Sequence, residues 1–157
     1  DNKKSAEVSI NHVKNGVKLA HKHKLPSPIV EFIATHHGST KVKYFYLKYK
    51  EEHPDQEIDE KDFRYPGPLP HSKEAAVVML ADGIEAASRS MKDKTRENLK
   101  ELVDRMIDQK VEDKQLDESE LTFRDVKNIK EILFQKLINI YHIRIEYPEE
   151  KNKIPGK

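Results

Sequence analysis

The stretch Ile29-Val30-Glu31-Phe32-Ile33-Ala34-Thr35-His36-His37-Gly38 decides how the chain folds. Ile29, Val30, Phe32 and Ile33 supply an apolar face, Ser27 stands where it can cap the start, and Pro28 suits the first helical position. A helix ending in paired imidazoles is the result. Inside a regular helix adjacent side chains point about 100° apart, so His36 and His37 converge on one point only where the backbone leaves the helix. Gly38 offers that exit. The carbonyl end of a helix also favours a cation, which makes this good ground for a metal. The plainer alternative is a C-capping histidine beside a solvated one, and the pair alone does not choose between them.

Upstream, Ser5 to about His23 reads as a helix, with Val8, His12, Val13, Val17, Leu19 and Ala20 at three- and four-residue spacing. His12 lies on that apolar stripe, where a lone histidine is more often a core residue than a ligand. Downstream, Lys41 to His53 is a third helix in which Val42, Tyr44, Phe45, Tyr46, Leu47 and Tyr49 alternate with lysines. Asp55 to Asp62 is an acidic loop with one short turn. Phe63 to His71 is stiff and non-helical, because Pro66, Pro68 and Pro70 fix φ and remove amide donors. Within it Arg64 is a candidate phosphate contact and Tyr65 a candidate base platform; otherwise the loop is a connector.

Ser72 caps the next helix, Lys73 to Met91, which is apolar around most of its circumference and should be central. Asp82 sits in its middle. A buried unpaired carboxylate costs several kcal/mol, so Asp82 calls for a metal. Arg89 is seven residues away, too far for pairing on adjacent turns. Glu85, one turn on, points toward the same site. Thr95 to about Val111 is an amphipathic helix, Gln115 to Glu120 a polar connection, and Thr122 with Asp125 forms a capping box for a last helix through Tyr141. Ile143 to Tyr147 alternates as a short extended tail, and residues 148–157 should be disordered. The expected architecture is all-α, one domain over residues 1–147.

Composition narrows the function. Lysine plus arginine (29) nearly cancel aspartate plus glutamate (28), so there is no basic field for sequence-independent nucleic-acid binding. The longest apolar run, Ala75 to Ala81, is far short of the ~20 residues needed to span a bilayer. With no cysteine, histidine and carboxylate are the strong ligands available, and a reducing cytoplasm suits the chain. His12, His36, His37 and Asp82 together make three nitrogens and one carboxylate, a set for Fe, Mn, Zn or Co that makes hydroxide from water for attack on phosphorus.

Four segments carry a resemblance: Ile10 to Gly16 around His12, Phe32 to Thr40 with its His-His-Gly, Asp62 to Pro68 with its Tyr-Pro-Gly-Pro, and Lys73 to Asp82. The chain resembles the HD-domain phosphodiesterases of the seven-transmembrane-receptor HD (PgpH-like) family over nearly its whole length. The resemblance implies an all-helical HD-domain bundle, a two-metal centre of iron or manganese, and hydrolysis of cyclic di-AMP to pApA. It also implies His12, His36 and His37 as ligands of one metal, Asp82 as catalytic ligand of the other, and Lys73 and Arg89 as phosphate partners. The family's earlier histidine and its His-Asp doublet have no counterpart, since no His-Asp pair occurs here. With no initiator methionine before Asp1, the chain reads as part of a larger, membrane-tethered parent. It is expected to hold at most one metal and to be inactive alone. Two other readings remain: an HD-type hydrolase of another nucleotide, and a non-catalytic helical signalling module acting as a homodimer.

Overall fold

The computed structural model describes residues 1–143 and is built from helices. They are α1 (Asn2–Lys22), α2 (Ser27–Thr35), α3 (Lys43–Glu52), a 3-10 turn (Glu60–Phe63), α4 (Lys73–Ser90), α5 (Arg96–Glu112) and α6 (Phe123–Ile140). Among the described residues the isolated antiparallel bridge Lys41 to Arg64 is the β pairing present, so the all-α expectation holds. The tail from Arg144 onward, including the segment expected to be disordered, lies outside the described residues.

The helices form two layers. In the first, α1 packs on α2, α3 and the 3-10 turn; in the second, α4, α5 and α6 pack on one another, and α2 joins the layers through α4. The second layer holds the main core, where Met79, Leu80 and Ile84 meet Leu99, Val103 and Ile107 and then Phe134, Leu137 and Ile138. Burial of each such side chain contributes about 1.5–3 kcal/mol.

In the first layer α1 buries Ala6, Val13 and Ala20. Their seven-residue spacing is close to two helical turns, so they share one face. Gly16 lies near that face, and a Cβ there would stand 2.9 Å from Ile33 Cγ2, so α1 and α2 touch where α1 has no side chain. The stripe read from the sequence was partly mistaken: Val8 and Leu19 are 66% and 57% exposed, because α1 is covered on one narrow side. Helix α3 buries no residue fully; Tyr46 and Tyr49 place their rings 5.6 and 5.4 Å from that of fully buried Phe63.

Three further expectations are corrected. Ser27 does not cap α2: Pro26 holds the cap position with no side-chain hydrogen bond, and Ser27 is already helical. Asp82 is not buried in α4: it is exposed, as Glu85 and Arg89 are, because the helix has an open face beside its apolar one. The α5–α6 connection is not a solvated loop, since Gln115, Leu116 and Ser119 are buried. Lys114 takes φ 57°, its N–H donates to Val111 O and that of Gln115 to Lys110 O (3.0 and 2.9 Å). This pair of bonds closes α5 and turns Gln115 inward.

The capping box is present as read: Thr122 Oγ1 accepts from Asp125 N and Asp125 Oδ2 from Thr122 N (3.1 and 2.9 Å). Thr122→Ala should lower stability by about 1 kcal/mol in urea unfolding; an unchanged midpoint would deny the cap its role.

Candidate metal centre

Two helices deliver three imidazoles to one place. His12 comes from the middle of α1, while His36 and His37 come from the end of α2, where the chain leaves the helix through Gly38 at φ 53°. One ligand nitrogen from each ring lies within 4.8 Å of the others. His36 Nδ1 donates to Ile33 O at 2.8 Å, and His12 Nδ1 donates to Ser9 O. A carbonyl only accepts, so each Nδ1 carries a proton, and in the neutral ring this leaves Nε2 as a bare lone pair. These two Nε2 atoms face each other at 3.2 Å. Opposed lone pairs at that distance need a proton or a cation between them. An Nδ1–H bound to a backbone carbonyl with Nε2 free is also how metal-ligating histidines are oriented, so the residues fit a divalent metal.

His37 completes the set. Its ring stacks on Tyr65 with centroids 4.3 Å apart, and the Tyr65 hydroxyl is held by Ser9 Oγ at 3.2 Å. Burial first, then the neighbouring His36, His12 and Lys110, push its pKa from 6.5 down to about 3, so the ring stays neutral and able to ligate. The turn after it is braced on both sides. Gly67 N donates to Gly38 O and Tyr65 N to Thr40 O, each at 3.0 Å, and Ser39 N donates to Gln115 Oε1 at 2.9 Å.

Asp82 stands differently from its reading. It is exposed on α4 and is not among the ligands within 4.8 Å of one another. Its charge still raises the pKa values of Tyr65 and Lys110, so its carboxylate lies in the field of the centre. Water solvates it, and burial cost is no reason for a metal there. Glu85 is outside that group of ligands and bound to Arg89 at 2.5 Å. Arg64 donates to Ser39 O at 3.0 Å and so secures the turn. Tyr65 is 8% exposed and braces His37 instead of offering an open face. Lys73 binds Asp125 at 2.8 Å and Arg89 binds Glu85, contacts that do not involve the imidazoles.

Sequence reasoning missed two residues. Lys110, in the last turn of α5, is half-buried, and burial lowers its pKa to about 8 despite Asp113 and Asp82. Gln115 is 2% exposed beneath the His-His-Gly turn. Neither has a local pattern to find it by, since both reach the site through the fold of the second layer.

Two outcomes follow for stability. Unfolded His37 takes a proton near 6.5 while the folded ring stays neutral to about 3. The unfolded state therefore binds more protons below 6.5, and the metal-free protein should lose stability as pH falls through that value. Thermal melts from pH 8 to 5 should show this slope, and His37→Asn should flatten it. Gly38→Ala would place a Cβ 2.5 Å from Gln115 Oε1 and 2.8 Å from Met79 Cε at a positive φ. It should cost about 3 kcal/mol in chemical unfolding; a cost below about 1 would mean the turn relaxes freely.

No family model matches the chain. The cyclic-di-AMP phosphodiesterase PgpH of Bacillus subtilis (strain 168) is 41% identical over 150 residues, covering 96% of this chain and 21% of that protein. Its namesake in Listeria monocytogenes serotype 1/2a (strain 10403S) is 38% identical over 148 residues, covering 94% and 20%. The chain thus spans about a fifth of the length of these curated relatives. The crystal structure of the L. monocytogenes phosphodiesterase PgpH HD domain in complex with cyclic-di-AMP matches with a TM-score of 0.86 at 37% identity, covering 94% of this chain and 68% of that one. The helical path and more than a third of the aligned residues are shared, and the chain belongs to the PgpH HD-domain family.

Proposed function

We propose that the chain is part of a metal-dependent phosphodiesterase that hydrolyses cyclic di-AMP to pApA. One observation carries the metal half of this reading: His12 and His36 turn bare Nε2 atoms toward each other at 3.2 Å, with His37 beside them. The substrate half rests on kinship with the PgpH phosphodiesterases and with the HD domain solved in complex with cyclic-di-AMP.

His12, His36 and His37 would hold one metal, iron or manganese, and Asp82 would serve a second. When bound, the metals supply Lewis-acid polarisation of a phosphate and water acidic enough to attack it. The chain's own groups prepare the place. Tyr65 keeps the His37 plane fixed and the low His37 pKa keeps a proton off the ligating ring. Asp82, open to solvent, is reachable by a second cation and by substrate. Lys110 and Arg64 provide positive charge close to the cluster for the phosphates, and Lys73 and Arg89 do so farther along α4. The working location is the cytoplasmic side of a membrane-tethered parent. Among the described residues no helix is long and apolar enough to cross a membrane.

The test measures metal content and nucleotide hydrolysis on the 157-residue chain and on the chain preceded by its natural upstream sequence. The longer protein should hold about two metals, as two-metal phosphoesterases do, and release pApA. The shorter one should hold at most one metal and be inactive. Asp82→Ala and His36→Ala in the longer protein should each reduce turnover more than about 100-fold, the scale expected for lost metal ligation. A longer protein that is metal-free and inert overturns the reading, and preferential cleavage of another nucleotide overturns its substrate half.

A further inference from the structure

We infer that Gln115 is a positioning residue for the paired histidines, locking the turn that aims them from the opposite layer of the fold. The inference rests on the metal reading of the three imidazoles. Gly38 N donates to Thr35 O and Thr40 N to His37 O, so both amides are satisfied inside the turn. The amide between them is not. Ser39 N–H is held by a side chain, Gln115 Oε1, at 2.9 Å, and Gln115 Nε2 donates to Ser39 Oγ at 3.0 Å. The carboxamide cannot be turned over, because Nε2 also donates to Asp113 O at 3.0 Å and Oε1 faces an N–H.

Gln115 is itself immobile. Its backbone N–H closes α5 on Lys110 O, its side chain is 2% exposed, and the next residue, Leu116, belongs to the core of α4, α5 and α6. A rigid group from the second layer thus grips the residue two positions after His37. Gly38 lies directly on Gln115 Oε1 with no room for a Cβ, so the turn has little freedom to slide. Release of Ser39 would let Gly38 relax and move the His37 ring away from the two Nε2 atoms opposite.

The test uses the 157-residue chain titrated with Co2+, whose visible spectrum reports coordination geometry, together with hydrogen exchange at the Ser39 amide in the metal-free protein. Gln115→Met keeps the volume and removes the polar contacts to Ser39 and Asp113. It should bind Co2+ about tenfold more weakly, the scale seen when groups that orient ligands are lost, with a changed spectrum and faster exchange at Ser39. Ser88→Ala, which breaks a part-buried bond between α4 and Tyr141 that involves none of the turn's residues, controls for general loss of stability and should bind Co2+ as the parent does. If Gln115→Met fails to fold, Gln115→Asn, one methylene too short to reach Ser39, is expected to behave in the same way. A folded Gln115→Met with parent affinity and spectrum overturns the positioning role alone. A 157-residue chain that takes up no Co2+ overturns this inference, and the metal reading falls with it when the protein extended upstream takes up none either.

Discussion

The arrangement depends on one crowded turn. Where α2 ends, Gly38 takes φ 53° in a space closed by Gln115 Oε1, Met79 Cε and Leu69 Cδ2. That space exists only because three separate segments meet there: α4 through Met79, the proline-rich loop through Leu69, and the end of α5 through Gln115. A helix that stops in the open spreads adjacent side chains apart. Stopped against this wall, α2 directs two successive imidazoles toward a third that arrives from α1.

The proline-rich loop is therefore more than a connector. Phe63 and Pro70 are fully buried, and between them the backbone of Tyr65 and Gly67 pairs with Thr40 and Gly38. Prolines at 66, 68 and 70 leave few amide donors, and two of those that remain, at Tyr65 and Gly67, are spent on the histidine turn. Stiffness in the loop becomes precision at the rings. Tyr65 adds to it, with its hydroxyl tied to Ser9 of α1 and its ring flat against His37.

Electrostatics in the site follow from unequal exposure. His37 is drawn in and stays neutral, Lys110 is drawn in and holds its proton weakly, and Asp82 stays exposed on α4. Three imidazoles thus stand beside an exposed carboxylate and a partly desolvated ammonium, donors for a cation and for an anion respectively. The exposed ion pairs on α4, Lys73 with Asp125 and Arg89 with Glu85, add little to stability, as surface pairs usually do.

Much of this was legible in the chain itself. The helices from α1 to α6 follow from apolar spacing and capping residues, and the capping box at Thr122 and the cap at Ser72 are where local chemistry put them. His12, His36 and His37 were selected by residue type and by the glycine exit, and the structure brings them together. What misled was burial. Val8 and Leu19 repeat correctly yet face solvent, and Asp82 lies in an apolar run yet is exposed, because periodicity says which residues share a face and not whether anything covers it. The sequence by itself determined the helices, their ends and the donor chemistry, since these depend on neighbours within a few residues. Only the tertiary structure decided that Gln115 and Lys110 come up against the histidine turn and that Tyr65 lies flat against His37, because those placements come from contacts between residues far apart in the chain.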